Sequence, residues 1–270
     1  MSDANRISLS GWALILGASS GFGEACSLTL ADAGMHIFGV HLDRRATLPN
    51  VERIVGEIRA KGREAVFFNA NAADEAKRRE VLEAMEKILA ERGTPGAVRV
   101  LHHSLAFGAL KPYVADRPED ALSKAQMEMT VDVMAHSLVY WAQDLVARRL
   151  MARGGRIFAM TSAGGHKVWK TYGAVSAAKA ALEAHIRQLA VELAPEGITA
   201  NAIQAGVTDT PALRRIPGNE RMLEHASAGN PGGRLTTPAD IAAALVAFSL
   251  PHTQWMSGNV IRVDGGEDIV

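Results

Sequence analysis

Tyr172 and Lys179 are the two side chains whose types and spacing best suit chemistry. They stand seven residues apart in a stretch, Thr171 to Lys179, that predicts the first turns of a helix. At about 3.6 residues per turn, seven steps return to nearly the same face, so a phenol and an ammonium group project from one stripe. A nearby positive charge makes a phenol a better proton donor. The alternative is that both are ordinary surface residues of an alanine-rich helix.

A glycine-rich turn near the start of the sequence follows a short apolar run. Trp12 to Leu16 predicts a buried strand, which leads directly into Gly17, Gly21 and Gly23 and then into a helical pattern. Glycines allow a tight turn and the close approach of a ligand, and the following helix N-terminus offers free N–H groups to a diphosphate. Strand, turn and helix in this order predict a dinucleotide site.

The segment after the second predicted strand bears on the choice of cofactor. A carboxylate at this place binds the ribose 2′-hydroxyl of NAD(H), whereas arginines suit the 2′-phosphate of NADP(H). The sequence offers both, as Asp43 followed by Arg44 and Arg45. The paired arginines slightly favour NADP(H) over NAD(H). The alternative is that both arginines are simply solvated.

Composition narrows the class of protein. The 270 residues carry 29 basic and 29 acidic side chains, so there is no excess of basic charge to suggest nucleic acid. No stretch approaches the ~20 apolar residues of a membrane span, and the residues from Met1 to Ser10 are too polar for a signal peptide. A single cysteine, Cys26, cannot form an internal disulfide, which favours the cytoplasm.

Two adjacent histidines, His102 and His103, end the fourth predicted strand. Neighbouring residues on a strand point to opposite faces, so this pair is poorly suited to bind a metal. We expect one histidine to pack inside the protein and the other to line the cofactor crevice, and we predict no metal site.

Strands and helices alternate along the whole sequence. This order predicts an α/β fold with one doubly wound parallel sheet, the Rossmann fold, and no linker divides residues 1–270 into more than a single domain. One long helix is predicted over residues 118–151, either packed on a second subunit or buried within one. Residues 211–234 are rich in Gly, Pro and charge and predict a mobile substrate flap rather than a core element.

Together these features resemble the short-chain dehydrogenase/reductase family over about residues 10–266, where the sequence ends its last strand in Val-Asp-Gly-Gly. In the commoner branches the tyrosine precedes the lysine by four positions, and Val175 stands there in this sequence. Tyr172, seven positions before, has the spacing of the enoyl-acyl-carrier-protein reductases. The His103-Ser104 pair is similar to a pattern in those enzymes, and residues 172–195 are especially similar to their NADPH-dependent isoform III.

The resemblance implies hydride transfer from a nicotinamide to the β-carbon of a 2-enoyl thioester. Tyr172 would then donate a hydrogen bond to the developing enolate, and Lys179 would hold the nicotinamide ribose. Ser162 would line the pocket in a secondary role, or else cap a loop. The other cofactor contacts that the resemblance implies are Gly17, Ser19, Ser20, Phe22, Gly23, Asn71, Ala72, Ser104, Val207, Thr208 and Thr210.

The same resemblance implies an acyl thioester substrate, on acyl carrier protein or coenzyme A, in fatty acid biosynthesis, and a homotetramer or homodimer. A ketone reductase or alcohol dehydrogenase of the same fold is the first alternative. Val175 argues against it, because the hydroxyl used for that reaction is missing there. The second alternative is an NAD(P)-binding protein without catalysis, which would be expected to have lost Tyr172 or Lys179.

Overall fold

A parallel β-sheet forms the centre of the computed structural model, which describes residues 8–270. Its order is β3-β2-β1-β4-β5-β6-β7, with all neighbouring pairs parallel. Strands β1 to β3 are added toward one edge of the sheet and β4 to β7 toward the other, so the strand order reverses between β1 and β4. Sheets of this kind bind ligands at that point, beside the carboxyl ends of the strands. The predicted doubly wound Rossmann fold is confirmed. The strands are β1 Trp12–Leu16, β2 His36–His41, β3 Ala65–Asn69, β4 Val98–His103, β5 Met151–Ser162, β6 Thr199–Ala205 and β7 Val260–Val263.

Helices cover both faces of the sheet. One face carries α1, α2 and α8, and the other carries α3, α5 and α6. Because both faces are covered, central strands are continuous apolar runs, and every residue of β1 is buried. The helices are α1 Gly21–Asp32, α2 Leu48–Ala60, α3 Glu75–Glu91, α4 Lys124–Val131, α5 Ser137–Ala147, α6 Gly173–Glu192, α7 Asn219–Gly229 and α8 Pro238–Phe248.

Local sequence signals fix several helix starts. Ser123 and Gln126 form a reciprocal capping box at the start of α4, and Thr237 and Asp240 do the same for α8. Each box satisfies two backbone N–H groups that the first turn leaves without helical partners. At α3, the Asp74 carboxylate accepts from a backbone N–H in the first turn.

The single long helix predicted over residues 118–151 is wrong in its bounds and its regularity. A 3₁₀ turn occupies Pro118–Asp120, and the helical segment runs from Lys124 to Ala147 with a π-helical turn at Asp132–His136. It stops because Arg149 adopts a left-handed conformation, with φ 55°. The N–H groups of Arg149 and Leu150 then bond back into the last turn, which closes the helix end.

Residues 211–234 are more regular than their composition predicts. They contain a 3₁₀ turn at Leu213–Arg215 and the helix α7. Ile216 and Ala226 are buried, so the segment packs on the rest of the fold through these two side chains. That these residues form a mobile substrate flap stays a prediction.

Within residues 8–270, no helix combines the length and the apolar character needed to cross a membrane. The prediction about a signal peptide concerns Met1 to Ser10, and residues 1–7 of that stretch lie outside the described part.

Candidate active site

Tyr172 and Lys179 meet the same loop, the one that follows β5. Tyr172 directly precedes α6, and its backbone N–H donates to the Trp169 carbonyl at 3.1 Å. A methyl group placed on Gly164 would lie 2.5 Å from Cε1 of Tyr172, and one placed on Gly165 would lie 3.6 Å from Cβ of Lys179. The absence of a side chain at Gly164 therefore makes space for the Tyr172 ring, and Gly165 lies beside Lys179.

Ser162 lies beside the phenol. Burial raises the pKa of Tyr172, and the neighbouring Ser162 hydroxyl opposes that rise. The Ser162 Oγ atom is buried and has no well-formed hydrogen bond within the described part of the chain. The pair thus offers one donor and one unused hydroxyl side by side, which suits a ligand oxygen.

Lys179 is almost fully enclosed, with 6% of its surface exposed. Its ammonium group donates to the Met160 carbonyl at 2.6 Å. Burial lowers the pKa of Lys179 to about 8, and the Glu183 carboxylate acts against that change. Glu183 in turn accepts from the Thr161 hydroxyl at 2.6 Å. The cation is therefore fixed between a backbone carbonyl and a held carboxylate.

Thr171, immediately before Tyr172, is strained. Its φ is 68°, a left-handed value that a β-branched residue rarely adopts. Its hydroxyl is buried with no partner within residues 8–270. Such strain persists only where the surroundings hold it, and it is concentrated at functional sites.

The glycine-rich turn between β1 and α1 forms the floor of a cleft. Gly17 has φ 90°, and a methyl group there would lie 2.5 Å from the Ser104 carbonyl oxygen. Gly23 is buried, and a methyl group on it would overlap the Gly17 carbonyl, so α1 sits directly against the turn. The cleft brings together six of the predicted cofactor residues: Gly17, Ser19, Ser20, Phe22, Ser104 and Thr210.

The sequence analysis missed other residues that line the same cleft. They lie one to five residues after Ser104 or Thr210, and that proximity in sequence is the signal that could have found them. The set is Leu105, Ala106, Phe107, Pro211, Ala212 and Arg215; Gly21 of the predicted glycine turn also lines the cleft.

The segment after β2 places a carboxylate beside this turn. Although burial works against ionisation, the hydroxyls of Ser19 and Thr47 and the ring of His41 hold the pKa of Asp43 below its usual range. His41 Nδ1 lies 2.9 Å from the Asp43 carboxylate. Arg44 and Arg45 are exposed at the next two positions.

The remaining predicted cofactor residues lie outside the cleft lining. Asn71 is exposed, while the carbonyl of the buried Ala72 accepts from the Trp141 indole at 2.8 Å. The Val207 N–H donates to the Glu267 carboxylate at 3.0 Å, and Thr208 is buried.

Both histidines of β4 pack inside, so the expectation that one lines the crevice is wrong. Burial lowers the pKa of His102 and of His103 to about 3, so both rings are neutral. The Ser137 hydroxyl donates to the Val133 carbonyl at 2.8 Å and lies 2.8 Å from His103 Nε2. A hydroxyl has one proton, so Nε2 of His103 must be the donor to Ser137.

The described residues contain no cluster of three or more His, Cys, Asp or Glu side chains arranged to hold a metal ion.

Comparison with known proteins identifies the family. The sequence model described as enoyl-(acyl carrier protein) reductase matches residues 17–267. The chain therefore belongs to this enoyl reductase-like branch of the short-chain dehydrogenases/reductases, which are NAD(P)H-dependent oxidoreductases.

Individual relatives divide between two chemistries. The enoyl-[acyl-carrier-protein] reductase [NADH] FabI of Aquifex aeolicus is 28% identical, over 87% of this chain and 84% of its own. The cyclohexanol dehydrogenase of a Rhodococcus species is also 28% identical, over 94% of both chains. A crystal structure of the enoyl-[acyl-carrier-protein] reductase (NADH) of Aquifex aeolicus VF5 superposes with a TM-score of 0.81, at 24% identity over 96% of this chain and 97% of the other.

Proposed function

We propose that the protein reduces the C=C bond of a 2-enoyl thioester with NAD(P)H. The observation that carries this proposal is the placement of the phenol. Tyr172 stands at the entry of α6 beside Ser162, while Val175 is 4% exposed and packs against Met134 and Ala178. The position of Val175 carries no hydroxyl, and the Tyr172 phenol stands nearly one helical turn earlier in the chain.

The cleft fits a dinucleotide. The turn at Gly17 approaches so closely to Ser104 that a side chain could not fit between them, and the N-terminus of α1 lies beside it. Backbone N–H groups at a helix N-terminus bind a diphosphate without any cationic side chain. When bound, NAD(P)H supplies the hydride. The protein binds and orients the cofactor and the substrate.

Tyr172 is the proton donor in this proposal. As hydride reaches the β-carbon, negative charge moves to the thioester oxygen, and a hydrogen bond from the phenol stabilises it. The unused Ser162 hydroxyl can donate to the same oxygen. In this proposal Lys179 adds positive charge near the phenol, which favours loss of the phenolic proton.

Carbonyl reduction is the second candidate, and one observation favours it. Ser162 and Tyr172 lie side by side, which also suits the polarisation of a ketone oxygen. The Rhodococcus relative is named for an alcohol substrate.

A panel of thioesters separates the two candidates. We expect cofactor absorbance to fall with crotonyl thioesters, on acyl carrier protein and on coenzyme A, and to change little with 3-oxo thioesters or cyclohexanone. Turnover of the 3-oxo compounds alone would replace the proposal by the second candidate. Cofactor binding without turnover on any of these compounds would leave only a nucleotide-binding protein.

For the cofactor we propose NADP(H) with a slight preference over NAD(H). Arg44 and Arg45 are exposed and free to reach a 2′-phosphate, while the Asp43 carboxylate beside Ser19 repels it and accepts a 2′-hydroxyl. The relative from Aquifex is named as an NADH enzyme, in line with the opposing role of Asp43.

Two variants test this balance. Asp43→Asn should raise the ratio of kcat/KM for NADPH to that for NADH, and the double variant Arg44→Ala, Arg45→Ala should lower it. A ratio that stays constant in the double variant would show that the arginines are only solvated.

We further propose that the chain acts as a homodimer or homotetramer in fatty acid biosynthesis in the cytoplasm. Exposed apolar side chains on α6, including Val191 at 73%, support an assembly surface. The lone buried Cys26 supports a reducing compartment.

A further inference from the structure

Two adjacent carboxylates, Glu267 and Asp268, contact the loops that follow β6 and β5. We propose that Glu267 and Asp268 are positioning residues, with Glu267 holding the loop after β6 and Asp268 holding the loop that ends in Tyr172. For turnover this inference rests on the proposed function, but its structural consequences can be measured without any substrate.

Asp268 is enclosed, and it accepts from two cationic side chains and a histidine ring. Only 2% of its side chain is exposed, and it accepts from His166 Nε2 at 3.0 Å, Lys167 Nζ at 3.1 Å and Arg262 Nε at 2.9 Å. Together with these partners, the neighbouring Gln204 amide holds the pKa of Asp268 well below its usual range, although burial opposes this. A buried carboxylate with this many donors forms a strong, charge-dependent anchor.

Two of those partners belong to the loop between β5 and α6. His166 and Lys167 stand there, four and five residues after β5 ends at Ser162, and the same loop ends in the strained Thr171 before Tyr172. The described residues give this loop no other ion pair to the rest of the protein. Asp268 therefore holds the loop in a conformation that Thr171 would otherwise leave.

Glu267 contacts the loop after the neighbouring strand, β6. Both of its carboxylate oxygens accept from the Val207 N–H, at 3.0 and 3.1 Å. Val207 belongs to the loop after β6, which also carries Thr210 into the cleft. Burial raises the pKa of Glu267, so the site tolerates a neutral acceptor at this place.

Asp264 fixes the turn that carries both carboxylates. Its side chain accepts from the Gly266 N–H at 2.9 Å and from the Asp268 N–H at 3.2 Å, while its carbonyl accepts from the Asn230 amide at 2.8 Å. The two positioning side chains thus belong to a turn that these hydrogen bonds hold, and each contacts a different loop.

The two positions differ in what they need, and this makes a sharp test. Val207 needs only an acceptor, so Glu267→Gln should keep the NAD(P)H affinity of the wild type, whereas Glu267→Ala should weaken it about tenfold, because a partly buried N–H is left without this partner. Cofactor affinity is measured by fluorescence titration of NADPH and NADH. Equal losses in both variants would overturn the role of Glu267.

The contacts of Asp268 depend on its charge, so the isosteric variant Asp268→Asn should no longer anchor the loop between β5 and α6. We expect faster tryptic cleavage after Lys167 and Lys170 in the native protein, identified by mass spectrometry, with cofactor affinity unchanged. On a crotonyl thioester we expect kcat to fall about tenfold, since small misplacements of a reacting group are costly, while KM changes little.

The matched control is Asp144→Asn, which breaks an ion pair between α5 and Arg78 on α3 that involves no residue of this loop. It should lower the melting temperature without changing tryptic cleavage at Lys167 and Lys170. If Asp268→Asn left cleavage at the wild-type rate, the anchor would be refuted whatever the substrate. Wild-type inactivity on thioesters together with faster cleavage in Asp268→Asn would refute only the proposed function.

Discussion

The phenol of Tyr172 stands three residues before Val175, which is nearly one helical turn, or about 4.5 Å along the axis of α6. This brings the ring to the loop after β5, where the missing side chain of Gly164 leaves space for it. The phenol can therefore occupy this position only because residue 164 is a glycine.

Removing the phenolic hydroxyl tests the central residue. Tyr172→Phe should lower kcat on an enoyl thioester about a hundredfold, the usual cost of losing one such donor, while cofactor affinity is unchanged. Tyr140→Phe is the control, because Tyr140 on α5 is 38% exposed and its ring packs against the guanidinium of Arg78 on α3. Near wild-type turnover in Tyr172→Phe would contradict the assignment.

The enclosed lysine predicts a pH dependence. Its pKa is lowered to about 8, so Lys179 loses its proton, and the site its positive charge, as pH rises through that value. The profile of kcat/KM, which reports the free enzyme, should therefore fall above pH 8. The alkaline fall should disappear in Lys179→Arg, since arginine stays charged. A fall that persisted in that variant would assign it to another group.

Residues whose partners are close in sequence could be predicted, and residues with distant partners could not. Tyr172 and Lys179 are seven residues apart, and the glycine turn spans residues 17–23, so each of these predictions needed only a short stretch of sequence. Glu267 and Asp268 could not be predicted, because Val207 and His166 lie 60 and 102 residues away.

At the scale of elements, the contact between α1 and the glycine turn controls the cleft. Gly23→Ala would force the helix away from the Gly17 carbonyl, and overpacking of this kind costs about 1–3 kcal/mol. We expect weaker NADPH binding by fluorescence and a lower melting temperature.

Gly56→Ala is the matched control on α2, where a methyl group meets nothing within 4 Å. It should stabilise the protein by about 0.5–1 kcal/mol, because alanine restricts the unfolded chain, and it should leave binding unchanged. Equal binding in both variants would contradict the close-contact role of Gly23.

Hydrophobic periodicity predicted the centres of the helices and strands, but it did not predict where some of them end. Helix α5 stops at a left-handed Arg149, a position where glycine is the usual signal. The π turn at Asp132–His136, between α4 and α5, has no signal in the local composition. Local conformation at these points is imposed by the surrounding packing.

At the scale of the whole molecule, alternation of strands and helices predicted the sheet, since right-handed crossovers leave few other topologies. The burial of both His102 and His103 could not be predicted, because it depends on the helices that cover the carboxyl end of β4.

The exposed side of α6 should form the contact between subunits. Ala177, Ala180 and Ala184 are exposed there, and a charge on such a face costs desolvation on assembly. Ala184→Glu should shift the protein to smaller species by light scattering, whereas Ala76→Glu, on the exposed start of α3, should not. An unchanged mass in Ala184→Glu would place the contact elsewhere.

The π turn at Asp132–His136 has a consequence for everything after it. One extra residue in a helix advances the phase of later side chains by about 100°. With that phase, Ser137 meets His103 and His136 meets His185 on α6 at 2.9 Å. A one-residue deletion there would turn the whole of α5 about its axis and present a different stripe to the sheet.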